Sequence, residues 1–522
     1  MNRDAMLSAL ADTRSAWDII IIGGGATGLG CAVDAAARGY RTLLLEQSDF
    51  AKATSSRSTK LIHGGVRYLQ QGNVGLVLEA LRERGLLTHN APHLVGHLSF
   101  IVPNYTWWEA PFYGIGLKIY DLLAGKLGLG PSKHLSREET LHRIPTLEPI
   151  GLRGGTIYYD GQFDDARLAI CLARTAAGLG AALINYMQVT SLVKRNDLLR
   201  AVVARDLETG REHELQAKVV VNATGAFADS IRRMDNPDAS EMVSPSQGVH
   251  IVLDRSFLPG NSAIMVPKTD DGRVLFVIPW HDRALVGTTD TPVSRPNLEP
   301  LPLKEEIDFL LTHAVRYLSK DPRREDVLSA FAGLRPLVKA GGQRDTASTP
   351  RDHSVLVSKS GLVTITGGKW TTYRKMAADT IDQAALVGGL EECPCATENL
   401  RLHGWTKDAG RVEDRSSSPW RIYGSDAPAL SEMAKEHPDW DELIHPKLPY
   451  RVVEVLWAVR HEMARTVEDV LSRRTRALLL DARASMEAAP KVAHLMAKEL
   501  ARAEPWEKEQ TASYRELARG YY

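Results

Sequence analysis

Residues 18–30 read DIIIIGGGATGLG, a β-branched apolar run that stops at three glycines and gives way to an alanine-rich stretch, CAVDAAARG, at 31–39. The isoleucines suit a buried strand, and the alanine-rich stretch suits a helix ending at Gly39. RTLLLE at 41–46 is a second buried strand closing in an acid, so the first unit is βαβ. Gly23-x-Gly25-x-x-Gly28 permits a tight turn and, around Ala26 and Thr27, close approach of backbone to a pyrophosphate. The helix N-terminus adds free N–H groups and a positive dipole end, and Glu46 can accept from ribose hydroxyls. Strand, spacing, helix and acid agree on a dinucleotide site, and the Glu46 carboxylate argues against a 2′-phosphate.

That motif alone does not separate FAD from NAD. Two further strand-to-glycine junctions, AKVVVNATG at 217–225 and GLVTITGGKW at 361–370, suggest one sheet assembled from separated segments. Thr224-Gly225 and Gly367-Gly368 would then return to the first turn, the distributed contact that a long flavin dinucleotide needs. The expected organisation is a discontinuous FAD-binding domain of residues 14–105, 150–240 and 331–390, with an antiparallel domain of 106–149 and 241–330 capping the substrate and a helical domain at 395–522. In the capping domain, GRVLFVIPW and RALVGTT flank His281-Asp282 as a hairpin, with Pro279 favouring an edge position. In the helical domain Val452, Leu456, Val459, Met463, Val467 and Val470 recur at steps of three and four, which predicts one helix face.

Composition closes off several alternatives. Over 522 residues, Lys+Arg and Asp+Glu are both 64, so no whole-protein field gathers nucleic acid, and no nucleic-acid partner is expected. Four cysteines fit a reducing compartment, the first residues lack a secretion signal, and a cytoplasmic location is expected. Cys393-Pro-Cys395 has no second pair at ligand spacing, so no metal is expected; Arg473, Arg474 and Arg476 read as cations at a helix C-terminus. No run of about 18 uncharged apolar residues is long enough to span a bilayer. Residues 106–130, TWWEAPFYGIGLKIYDLLAGKLGLG, fit an interfacial segment and a buried core helix equally.

Residues 54–71, TSSRSTKLIHGGVRYLQQ, are unusually dense in Ser, Thr, Lys, Arg and His. Together with the glycine motif at 22–39, DDARL (164–168), VNATG, GTTDT (287–291), GLRPL (333–337), GGKWTTYRKMA (367–377) and EMARTVEDVLSRRTR (462–476), they resemble the FAD-dependent glycerol-3-phosphate dehydrogenases, in order and over most of the chain. The resemblance implies a Rossmann-like α/β domain of the glutathione-reductase type, an antiparallel substrate domain and a helical C-terminal domain. It implies FAD as cofactor and oxidation of sn-glycerol 3-phosphate to dihydroxyacetone phosphate by hydride transfer to flavin N5. Electrons would pass to a membrane quinone, which gives the interfacial reading of 106–130 a purpose at the inner face of the cell membrane. A homodimer is compatible with it. Within the same fold the alternatives are a glycerol-3-phosphate oxidase yielding hydrogen peroxide, or another FAD-dependent alcohol or amine oxidase.

Residue by residue, the resemblance assigns the phosphate to Arg67, Tyr68, Lys369 and Arg351, as cations and hydroxyls that suit a dianion. His250 and His63 are candidates for the base, His250 preferred, and Arg335 would stabilise the developing alkoxide or product carbonyl. Thr54, Ser55, Ser56, His63, Gly64, Gly65 and Lys369 join the glycines on the cofactor. Two positions depart from the pattern: Leu29 stands where the family usually has a small residue, and Gln247 where relatives often carry lysine, which removes one positive charge near the substrate cap.

Overall fold

A computed structural model describes the chain except for residues 12–15, 66–72, 268, 271, 340–352 and 408–418. One sheet runs in the order His353–Val357, Leu362–Gly367, Glu212–Asn222, Trp17–Ile22, Thr42–Leu45, Ala182–Ile184. Its four central strands and Ala182–Ile184 are parallel, which brings three distant strand ends together: Ile22 lies opposite Asn222 and Leu45, and Asn222 opposite Thr364. The strand-to-glycine junctions therefore share one edge of one sheet, as their pattern suggested. Helix Ala26–Ala37 packs between Asp165–Gly178 and Tyr373–Gly388, and Gly30 permits the contact: a Cβ there would stand 2.9 Å from the Tyr373 ring. Leu29 is fully buried in the same core.

Among the described residues a second sheet has ten strands and is mixed. Val243–Asp254 pairs with Val327–Val338 and Arg283–Gly287, and further strands lead through Leu275–Trp280 and Ser262–Val266 to Val95–Asn104 and Gly154–Phe163. Strands from 95–104, 154–163 and 327–338 thus belong to this sheet, so the chain crosses between the layers away from the expected boundaries at 105, 150 and 331. The sheet is antiparallel except where Ser262–Val266 runs parallel to Val95–Asn104. The hairpin at His281-Asp282 is present, with φ of 44° and 56° at the two turn residues, the conformation a two-residue turn needs to follow strand twist. Pro279 is not on an edge strand, because Leu275–Trp280 has neighbours on both sides; the pairing with Ser262–Val266 stops at Val277, so Pro279 withholds no ladder donor there.

The helical region covers the second sheet, and its Leu456, Val470 and Val492 share a core with Phe100, Trp280 and Phe331. The expected continuous face from Val452 to Val470 is interrupted. Helix Val452–Glu462 ends at Met463, φ 57°, and a separate helical turn follows at Asp469–Arg474. Buried charge explains the break: the Glu462 carbonyl accepts from Arg474 Nη2 at 2.8 Å instead of from a helical N–H, and the Asp469 carboxylate caps the N–H groups of Arg465 and Thr466. Arg473 and Arg474 do close the helical turn Asp469–Arg474, as expected, but buried carboxylates rather than the helix dipole alone hold them. Arg473 and Arg474 both donate to Asp49, at 2.5 and 2.6 Å, and Arg476 donates to Asp164, all in the interior. The Cys395 thiol lies 2.9 Å from Asp34 Oδ1.

Helix Glu109–Ala124 buries Leu117, Tyr120 and Ala124 and presents Phe112, Ile115, Ile119 and Leu122 to solvent, following an exposed Trp107 and Trp108. Trp107 is 76% and Leu122 80% exposed, which decides against the core reading of this segment.

Candidate active site

A cavity of about 320 Å³ lies at the carboxyl edge of the parallel strands. Gly23, Gly25, Ala26 and Thr27 line it from the first turn, Glu46, Thr54 and Ser55 from the second strand and the loop beyond. Thr224, Gly225, Gly367, Gly368 and Lys369 close it from the other two junctions. Backbone sterics dictate the glycines: a Cβ on Gly23, φ 110°, would meet the Ala223 carbonyl oxygen at 2.7 Å, and one on Gly28 would overlap the Gly23 oxygen at 1.9 Å. Gly28 therefore serves the turn by packing and is not on the cavity wall. Glu46 accepts from the N–H groups of Gly24 at 2.6 Å and Ser48 at 2.8 Å; burial nevertheless pushes its carboxyl above the usual range. Ser55 Oγ accepts from Ala26 N at 2.8 Å and so fixes the helix start against the loop.

Ser56, Gly64 and Gly65 lie behind the walls of both cavities described here. The Ser56 carbonyl accepts from Lys60 Nζ at 2.7 Å, and Gly64 N–H donates to the Tyr120 hydroxyl at 2.8 Å. The large cavity suits a dinucleotide: a helix N-terminus faces it, bare backbone lines it, and Gly225 leaves open space where a Cβ would stand.

A second cavity of about 180 Å³ shares Thr54, Pro336 and Gly367 to Trp370 with the first. His63, His250, Arg335 and Lys369 all line it, so the two sheets bring together four residues spread over 300 positions of sequence. Arg67, Tyr68 and Arg351 lie outside the described residues. Arg57 and Thr59 also line the cavity; both sit within the SSRSTK stretch, whose density of donors was the available signal, but neither was singled out from sequence. Among its described lining there is no carboxylate.

His250 stacks on Phe331 with ring centroids 5.0 Å apart, and its Nε2 is 2.9 Å from Thr59 Oγ1. Gly287 makes room for the ring, since a Cβ there would stand 2.1 Å from His250 Cδ2. Burial, reinforced by Lys60 and Arg335, holds the imidazole well below its ordinary pKa, so it is neutral near pH 7. Lys60 is buried with its Nζ 2.6 Å from Asp165 and faces the Trp280 and Phe331 rings. Arg335 is oriented by Asp290 Oδ1 at 3.1 Å and the Thr289 carbonyl at 2.9 Å, while the absent side chain of Gly248 clears its path. Gln247 is turned to Glu306 Oε2 at 2.7 Å and is not on the cavity wall.

Comparison with known proteins places the chain among relatives. The family described as FAD dependent oxidoreductase matches residues 18–374, and the C-terminal domain of alpha-glycerophosphate oxidase matches 363–511. The chain is 44% identical over 529 residues to the mitochondrial glycerol-3-phosphate dehydrogenase of Homo sapiens, covering 96% of this chain and 72% of that protein. It is 42% identical to the mitochondrial enzyme of Arabidopsis thaliana, covering 95% and 85%. The crystal structure of glycerol-3-phosphate dehydrogenase from Bacillus halodurans complexed with FAD superposes with a TM-score of 0.79 at 30% identity, over 99% of this chain and 97% of that one. On these grounds the chain belongs to the FAD-dependent oxidoreductases and, within them, to the glycerol-3-phosphate dehydrogenase family.

Proposed function

We propose that the chain oxidises sn-glycerol 3-phosphate to dihydroxyacetone phosphate with FAD in the larger cavity and hands the electrons to a quinone. The observation that carries this reading is a cation-lined cavity, with Arg57, Arg335 and Lys369 and no described carboxylate, opening onto the dinucleotide cavity. A dianion is favoured there over an amino acid, whose ammonium would find no counter-charge. When bound, FAD supplies a two-electron acceptor for the alcohol carbon.

The chain's own residues handle charge and protons. Lys369 lies on both walls and attracts the phosphate, with Arg67, Tyr68 and Arg351 as further candidates. Neutral His250 is the base, and Nε2 receives the alcohol proton by way of the Thr59 hydroxyl 2.9 Å away. Arg335, held by Asp290, offers N–H groups to the oxygen as it becomes a carbonyl. His63 stands on the same wall, its carbonyl 3.4 Å from the Thr371 hydroxyl, and orients the substrate.

The quinone and membrane parts of the proposal draw on the exposed face of Glu109–Ala124, where Trp107, Trp108, Phe112 and Leu122 stand beside the exposed Lys118, a mix that suits a lipid interface. No helix among the described residues is long and apolar enough to cross a membrane, so the contact would be peripheral. Anaerobic addition of glycerol 3-phosphate should bleach the flavin, and a quinone analogue should restore it rapidly. Faster recovery with oxygen would favour the peroxide-forming oxidase, the name carried by the C-terminal match, and a flavin that never bleaches would overturn the substrate. Anionic vesicles should sediment the parent and leave a Trp108→Ser, Leu122→Ser variant in solution; equal sedimentation would remove this face from the membrane.

A further inference from the structure

Lys52 lines the cofactor cavity and Arg57 the substrate cavity, and one carboxylate takes both. Glu299 Oε2 accepts from Lys52 Nζ at 2.8 Å, and Oε1 from Arg57 Nη2 at 2.7 Å. The same Oε1 accepts the hydroxyl of Tyr521, which follows helix Glu504–Arg519. Tyr521 is itself fixed: it is buried, and its carbonyl accepts from Ala330 N–H at 2.6 Å, next to Phe331 beneath His250. Gly520 brings this segment close to the Glu299 loop, since a Cβ there would stand 2.5 Å from Leu301.

Glu299 therefore holds Arg57 in the rotamer seen beside the substrate cavity. A guanidinium carries five N–H donors, and Glu299 and the Ala332 carbonyl, at 2.7 and 3.4 Å, each take one. A hydroxyl donated to the oxygen that receives Arg57 fixes the carboxylate's rotation and draws part of its negative charge away from the guanidinium. Arg57 then keeps charge and donors for an anion in the cavity. Burial pushes the Glu299 carboxyl up, but Arg57 and Lys52 outweigh it and hold it down to about 2, so the carboxylate is ionised throughout the working range.

We propose that Tyr521 and Glu299 are positioning residues that hold Arg57 against the substrate phosphate, so that docking of the segment after helix Glu504–Arg519 sets substrate affinity. This rests on the reading of the smaller cavity as the glycerol 3-phosphate site. Its test is steady-state kinetics on the holoenzyme with flavin content measured alongside. Tyr521→Phe keeps the buried ring and removes one hydroxyl; it should raise KM for glycerol 3-phosphate about five- to tenfold with kcat and flavin content near the parent's. Glu299→Gln adds one net positive charge beside the cavity, so simple attraction would lower KM for a dianion, whereas lost positioning raises it. In an Arg57→Ala background Tyr521→Phe should raise KM no further. An unchanged KM in Tyr521→Phe, a lowered KM in Glu299→Gln, or rises that multiply in the double variant would each overturn the proposal while leaving the substrate reading intact. A parent that neither saturates with glycerol 3-phosphate nor is inhibited by inorganic phosphate overturns both.

Discussion

Replacing Glu462 by glutamine should loosen the helical region from the layer beneath it. The Glu462 carboxylate takes both terminal nitrogens of Arg167 at 2.7 Å, with the side chains 0% and 2% exposed, and the guanidinium lies 4.4 Å over the Tyr423 ring. Two unit charges about 4 Å apart attract by about 4 kcal/mol at an effective dielectric of 20. Removing one of them leaves the other buried and uncompensated, at a cost of roughly 3–5 kcal/mol. Glutamine keeps the shape, and the Glu462 backbone carbonyl keeps its bond from Arg474, so the loss is electrostatic. With a urea slope of about 3 kcal/mol/M, the midpoint of the transition that releases the helical region falls by about 1 M or more. Circular dichroism and flavin absorbance recorded together separate that transition from cofactor loss. Arg167→Met with Glu462→Leu replaces the pair by apolar groups and should recover most of the loss, since a missing charge is far costlier than a missing pair. A single variant within about 0.5 kcal/mol of the parent, or losses that add in the double, would refute this account.

His250→Asn should slow flavin reduction by about 10²- to 10⁴-fold with substrate affinity little changed, and Thr59→Val should slow it less; stopped-flow absorbance reads both. Because the folded imidazole stays neutral, the reduction rate should hold level as pH falls through 6.5, where an ordinary histidine would lose activity. Burial raises the Glu454 carboxyl to about 7 from 4.5, so its contribution to stability is full below pH 4.5 and is lost as pH rises through 7. Over that window the contribution changes by about 3 kcal/mol, and the Glu454→Gln variant should gain on the parent by roughly that amount above pH 7 in urea titrations. Gly28→Ala should abolish flavin retention on gel filtration, since the methyl would stand 1.9 Å from the Gly23 oxygen.

The parallel sheet and its dinucleotide edge were legible because a strand ending in glycines repeats three times, and each copy obeys local rules. His250, His63, Arg335 and Lys369 came into view as candidates through motif resemblance, and no local rule would have found them: the first three stand on or beside strands of the second sheet, Lys369 follows a strand of the first, and they share a cavity only where the two sheets meet. Sequence pattern failed where a buried charge overrode periodicity. The steps from Val452 to Val470 are helical throughout, yet the helix stops at Met463 because Arg474 claims the Glu462 carbonyl from outside it. The helix-end position of Arg473 and Arg474 was legible, but the buried partners of the SRRTR arginines were not, as Asp49 and Asp164 lie over 300 residues away. Arg57 and Thr59 were in view within SSRSTK, but nothing in their spacing says which of these donors faces the cavity.

The walls of the cofactor cavity come from the first turn near Gly23 and from the junction at Gly367-Gly368. On a ribosome adding about 5–20 residues per second, those two walls emerge tens of seconds apart. Until the later one arrives, the cavity at the end of the isoleucine strand lacks one wall. Flavin capture is therefore a late act of synthesis, waiting on the junction at Gly367-Gly368 although both strands that flank Trp17–Ile22 are made long before it.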